Sequence, residues 1–353
     1  MKLRLVAATA ALIGALGTAH AENVVRANVV SGLPPIFLWV KHMEETFMPA
    51  VDKALEGTGY SMEWTKSFGG TLAKQGGELE ALEAQLAEIG VVPTVFESSN
   101  LPLHSVTYVS PFGATDPEQV LQAFNDLHDT IEAMRTSWHT FDVEYLGGGF
   151  ALDNYLMMTK FPLRQVADLE GRKIGAPGPA VNWLKGTGAV GVAGSLPTYY
   201  NDLQTGVIDG IVVFATAAAP AKLFEVAPYV TQVNFGAQYA GSLAANKTWF
   251  DAQPQAVKDA MHQAAAEYTV AYTSELLDRV ASSLETMVEG GATIEELAPE
   301  ERAAWASVLP NVPAEWVQQT EADGLPAGEI LSSYMEALRQ LGVELPRDWD
   351  KEM

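Results

Sequence analysis

The chain has 353 residues, 48% of them hydrophobic, and its 44 acidic against 21 basic side chains give a formal net charge of −23. A surface of that sign repels nucleic acid and anionic lipid, so neither is expected as a partner, and its simplest use is solubility, with cationic ligands also favoured. Cysteine is absent, which excludes disulfides, a cysteine nucleophile and a lipid-anchored cysteine.

The chain opens with Lys2 and Arg4, an apolar run over residues 5–17, and Ala19-His20-Ala21. That order is the pattern of a secretory signal peptide, and the run is short of the roughly 20 residues a spanning helix needs. Residues 1–21 are therefore expected to be cleaved, leaving a periplasmic protein that starts at Glu22 and is not itself membrane-embedded. The remaining length exceeds what one core usually serves, so two lobes are expected.

Alternation and β-branching predict a strand over 24–30, and Pro34-Pro35 opens an apolar-periodic helix over 36–55. A strand follows over 60–67, a helix over 72–86 after Gly69-Gly70, and a strand over 89–92. This βαβαβ order predicts a mostly parallel sheet. Residues 82–92 also align with residues 203–213, each reading as a helix end, a turn with an acid (Glu88, Asp209) and an apolar strand. Two lobes of like topology follow from that repeat. Ligands of open parallel sheets bind beyond the carboxyl ends of strands, which nominates Pro93, Thr94 and Phe96 after one repeat and Phe214, Ala215 and Thr216 after the other.

The last third reads as helices: a long one over 254–289 with no internal proline or glycine, then shorter ones over 299–309, 313–322 and 327–341. Histidines are scattered, with no i, i+4 pair that would make a helical zinc site. There is no Gly-x-Ser-x-Gly elbow and no phosphate-cradling loop, so neither an enzyme nor a cofactor or metal is expected.

Several ordered blocks together resemble the extracytoplasmic solute receptors of TRAP transporters, the DctP family. Residues 167–174 (Ala-Asp-Leu-Glu-Gly-Arg-Lys-Ile) are similar to the family's Asp-Leu-Lys-Gly-Leu-Lys-Ile-Arg, and residues 199–210, from Tyr199-Tyr200 to Asp209-Gly210, to its Tyr-x-Ala-Leu-Gln-x-Gly-x-Val-Asp-Gly. Gly69-Gly70-Thr71-Leu72 followed by Glu80-Ala81-Leu82, and Asn246-Lys247-Thr248-Trp249, look like two further family blocks. The resemblance implies an α/β, two-lobed periplasmic binding protein fold with a hinge, a ligand cleft between the lobes and a helical C-terminal part. It implies lobe I at 22–152 plus 240–280 and lobe II at 153–239 plus 281–353. It also implies a receptor that closes on a small-molecule solute and hands it to the TRAP permease membrane subunits.

Family members that bind organic acids carry an arginine where Gly175 stands, because a guanidinium forks onto a carboxylate. Its absence points to a small polar solute without a carboxylate: an amino alcohol, an amine or a neutral molecule. The alternatives are a carboxylate held by a non-standard cation such as Arg172 or Lys185, or a sensory or enzymatic derivative of the fold. By position, the residues expected at the ligand are Asp153, Asn154 and Tyr155 at the crossing into the second lobe, with Gly175, Trp183, Phe214 and Thr216. From the first lobe they are Phe37, Trp39, Trp64 and Phe68, with Glu78 a further acid. Aromatic faces among them would suit a cation.

Overall fold

The computed structural model describes residues 23–353. The signal sequence and its cleavage point after Ala21 lie outside the described residues.

Eleven strands among the described residues make two mixed sheets. The first holds β1 (Asn23–Val30), β2 (Tyr60–Ser67), β3 (Ile89–Val92), β4 (Val143–Leu152) and the returning β10 (Gln238–Asn246), in the order β2-β1-β3-β10-β4. The second holds β5 (Tyr155–Thr159), β6 (Lys173–Ala176), β7 (Val190–Ala193), β8 (Gly210–Phe214), β9 (Tyr229–Gln232) and β11 (Thr293–Glu296), in the order β11-β9-β5-β8-β6-β7. The repeat read from the sequence has its counterpart here. β3 lies between a parallel neighbour, β1, and the antiparallel β10, and β8 lies between a parallel neighbour, β6, and the antiparallel β5. Both are short, apolar and buried at every residue, as strands covered on both faces must be.

The chain crosses between the sheets at 153–154 and again at 233–237, and the two crossings are bonded to each other. Tyr155 N–H donates to the Gly236 carbonyl (3.1 Å), Gly236 N–H to Asn154 Oδ1 (3.0 Å) and Asn154 Nδ2 to Asn234 Oδ1 (2.7 Å). Arg302, on the helix Pro299–Val308, donates to the Asn234 and Phe112 carbonyls, satisfying two residues whose positive φ turns those groups away from a ladder. The third connection is the helix Gln255–Glu289, which packs along β4 and ends at Gly290 just before β11. The helices Val312–Ala322 and Ala327–Gln340 close the chain against the helix Pro117–Thr130 and its neighbours.

Two expected helices differ in detail. The segment read as one helix over 36–55 begins at Leu38 and runs through a π-turn at Met43–Phe47 before Met48–Leu55. Pro49 has no N–H to give to the preceding turn, and widening that turn accommodates its ring. The helix expected over 72–86 is only Glu78–Glu83, because Gly76 sits at φ +83° and Gly77 caps the helix that follows. A side chain at Gly76 would also meet Phe96 Cβ at 3.0 Å.

Candidate functional site

Between the two sheets lies a small, partly open cavity, with about 30 Å³ free to the centre of a water-sized sphere. Trp39 and Phe150 wall it from the first sheet's side, and Tyr155, Tyr199 and Phe214 from the second's. Trp39 and Phe150 stack with ring centroids 5.9 Å apart and planes 4° from parallel. Tyr155 and Phe214 are direct partners across the β5–β8 ladder, centroids 5.2 Å apart. Trp39 reaches across to within 6.2 Å of Phe214, so the two walls touch. Pro93 and Phe96, just past β3, also line the cavity, whereas Thr94, Ala215 and Thr216, nominated by the same repeat, do not.

The long helix fixes the first wall. Tyr268 Oη donates to the Trp39 carbonyl (2.8 Å) and Tyr272 Oη to the Ala151 carbonyl (2.7 Å), leaving both aromatic side chains of that wall free to face inwards. On the second wall, the Tyr155 hydroxyl is bonded to that of Tyr108 at 3.0 Å, and burial holds both phenols well above their ordinary pKa, so they are neutral hydrogen-bonding groups. The Tyr199 hydroxyl and Gln75 Oε1 are buried without a partner in the protein. Among the described residues, no lysine, arginine, aspartate or glutamate lines the cavity.

Gly175 lies on β6 behind this wall. A Cβ there would meet Ile208 Cδ1 at 3.0 Å, Tyr199 Cε1 at 3.2 Å and Ile211 Cγ2 at 3.3 Å. The space a longer residue would need is taken by the Tyr199 ring, which also lines the cavity, so a tyrosine stands where an arginine could otherwise lie. Gly175→Ala is expected to cost about 1–3 kcal/mol from overpacking, read as a lower denaturation midpoint with unchanged slope. In a Tyr199→Leu background the same change should cost less, because its close contact is gone.

Of the residues expected at the ligand, Trp39, Tyr155 and Phe214 line the cavity, and Phe37 lines a groove at its mouth with Lys74 and Leu196. The others lie elsewhere. Asp153 faces the helix Ala215–Ala218: its carboxylate accepts from Ala215 N–H (2.9 Å), Thr216 N–H (3.3 Å) and Thr216 Oγ1 (2.5 Å). That contact also accounts for Thr216, and Asn154 is spent on the crossings. Trp183 is buried behind Tyr155, donating to the Tyr108 carbonyl at 2.6 Å. Trp64 donates to Asp52 at the outer edge of the first sheet, and Phe68 packs on the core beside it. Neither cation considered as a substitute is near: the Arg172 guanidinium lies 4.3 Å over the Phe161 ring, and Lys185 faces Glu315 at 3.7 Å.

Glu78 is a structural acid rather than a ligand group. It is 1% exposed, and its two oxygens accept from Gly32 N–H and Gly76 N–H, each at 2.7 Å, tying together the two loops of the cavity mouth. Burial pushes its carboxyl up from the usual 4.5 to about 7, against the pull of those N–H groups. A raised folded pKa means the fold holds the proton more tightly than the unfolded chain, so this group's contribution is largest at low pH and is lost as pH rises towards and through 7. Between pH 6.5 and 8 the protein is expected to lose about 1 kcal/mol that Glu78→Gln does not lose, measured as the difference in thermal stability between the two pH values.

Phe150, Tyr199 and Gln75 were not anticipated. Phe150 follows Gly147-Gly148-Gly149 at the inner end of β4, and Tyr199 belongs to a block noted only for its pattern; neither signal points inward until the sheets are placed. Among the described residues, no group of three or more metal-ligating side chains could hold an ion, and no helix is long and apolar enough to cross a membrane.

The model of the family called bacterial extracellular solute-binding protein, family 7 (DctP) matches residues 35–319. A C4-dicarboxylate-binding periplasmic protein DctP of Rhodobacter capsulatus is 28% identical over 269 residues, 72% of this chain and 77% of that one. Among solved structures, a marine metagenome TRAP solute-binding protein specific for pyroglutamate superposes with a TM-score of 0.77 at 19% identity, covering 89% of this chain and 99% of that one. The periplasmic ectoine-binding protein of the TeaABC TRAP transporter of Halomonas elongata does so with a TM-score of 0.76 at 18% identity, covering 90% of this chain and 100% of that one.

Proposed function

Because the chain belongs to the DctP family of bacterial extracellular solute-binding proteins and is a periplasmic receptor of the TRAP type, we propose that its solute is a small polar molecule without a carboxylate, held in the cavity between the two sheets. The observation that carries this reading is the cavity wall itself, which is aromatic and aliphatic apart from Gln75 and has, among the described residues, no basic side chain, with Gly175 and the Tyr199 ring in the place of a carboxylate-binding arginine. An ionised carboxylate enclosed there would lose its hydration without gaining a charged partner.

The mechanism is binding and closure. One lobe is built on the first sheet and the other on the second, divided as 22–152 plus 240–280 and 153–239 plus 281–353. A solute touching Trp39 on one side and Tyr155 or Phe214 on the other favours the closed form by its differential affinity, and the closed form is what the permease reads. No chemical step is assigned to the protein. The relatives named for C4-dicarboxylates and pyroglutamate share its fold, and the reading departs from them at the cavity wall.

Thermal unfolding of the purified protein against amino alcohols, quaternary amines, polyols, sugar acids and keto acids tests the reading. Solute at 100 times its dissociation constant stabilises the folded state by about 2.7 kcal/mol. A rise with a carboxylate-free solute supports the reading. A rise with carboxylates alone contradicts it and directs attention to Lys74 at the mouth, the basic residue of the adjoining groove.

A further inference from the structure

We infer that the cavity takes an uncharged, compact ring carrying a hydrogen-bond donor beside an acceptor, the arrangement of a lactam or cyclic urea, with Gln75 and Tyr199 as the residues that select it. This deepens the carboxylate-free reading above and rests on it, choosing among the neutral and cationic solutes which that reading admits.

Two observations carry the choice. The first is the wall. A cation brought into an enclosed cavity needs a counter-charge or several ring faces turned to it. Among the described residues no acid lines this cavity, and Asp153, next to the lining residue Leu152, has its oxygens committed to Ala215 and Thr216. The rings are largely turned to one another, as in the Trp39–Phe150 stack and the Tyr155–Phe214 pair, so they offer a flat apolar slot more than a cage.

The second is the pair of unpartnered polar groups. Tyr199, 2% exposed, and Gln75 both line the cavity, and the Tyr199 hydroxyl and Gln75 Oε1 are buried with no partner in the protein. Buried polar groups are nearly always satisfied, and two left unpartnered on residues of one cavity wall are matched by a ligand that supplies both bonds. Gln75 Oε1 can only accept, so the ligand presents an N–H or O–H to it; the Tyr199 hydroxyl can donate to a neighbouring carbonyl. A neutral ring with an adjacent N–H and C=O meets both, while its carbons lie against Trp39 and Phe214.

Isothermal titration with three matched five-membered rings tests this: 2-pyrrolidinone (neutral lactam), pyrrolidinium (cation) and pyroglutamate (lactam with a carboxylate). The neutral lactam is expected to bind at least tenfold more tightly than either of the others. Pyrrolidinium binding as tightly or more tightly overturns the present inference and leaves the carboxylate-free reading standing. Pyroglutamate binding most tightly overturns both. Tyr199→Phe is expected to weaken lactam binding about tenfold while leaving the unliganded protein as stable as before or more so, since it removes a hydroxyl with no partner in the free protein. A variant that is destabilised and binds the lactam unchanged makes Tyr199 a packing residue and contradicts the assignment.

Discussion

Trp39→Ala is expected to lower the stability of the protein by about 3–5 kcal/mol and to weaken solute binding about a hundredfold or more. Trp39 is 7% exposed and contacts Phe37, Phe150 and Phe214, the last across the gap between the sheets. Removing the indole opens a void on the cavity and erases the contact by which one wall meets the other. Denaturant unfolding gives the first effect and calorimetric titration with any solute that stabilises the wild type gives the second. Phe47→Leu serves as a control: Phe47 is fully buried in the same core beneath the helix but does not line the cavity, so it should cost stability without costing affinity in the folded protein. Equal losses of affinity in both variants would place the solute elsewhere.

Asp153→Ala is expected to cost about 2–4 kcal/mol, because Ala215 N–H, Thr216 N–H and Thr216 Oγ1 would lose their acceptor in a buried crossing between the sheets. The effect has a pH signature. Burial lifts the Asp153 carboxyl from 3.8 to about 6, opposed by the hydrogen bonds from Thr216 and Ala215. The folded state therefore holds this proton more tightly than the unfolded chain, and the group's contribution grows as pH falls from about 6 towards 4 and is lost as pH rises through that window. The stability gap between wild type and Asp153→Ala should accordingly widen from pH 7 to pH 5, as followed by denaturant midpoints at the two values. A gap that narrows would mean an Asp153 stabilised mainly by its ionised form. A ligand-contacting Asp153 would show a further loss of affinity in the folded variant, which its position behind the helix Ala215–Ala218 argues against.

The fold was legible where its causes are local. Pro34-Pro35 and the apolar period announce the helix carrying Trp39, and the repeat between residues 82–92 and 203–213 points to Pro93 and Phe96 just beyond one strand and to Phe214, which is the last residue of the equivalent strand rather than beyond it. The helix expected over 72–86 failed because Gly76 takes a positive φ that a helix does not provide, at a place where Phe96 fills the space a side chain would need. The site was less legible because its decisive contacts are distant in sequence. Asp153 finds its partners 62 and 63 residues away, which turns a candidate ligand acid into a structural one. Tyr199 occupies the space beside Gly175 from a helix that follows the next strand, so the missing arginine was readable and its replacement was not.

The most direct measurement is a crystal structure of the protein with the solute that most raises its melting temperature. The expected result is a solute enclosed between Trp39 and Phe214, bearing no carboxylate, with polar atoms within hydrogen-bonding distance of Gln75 and Tyr199. A solute whose carboxylate is paired with Lys74 or another basic side chain, or one bound outside the space between the sheets, would contradict it.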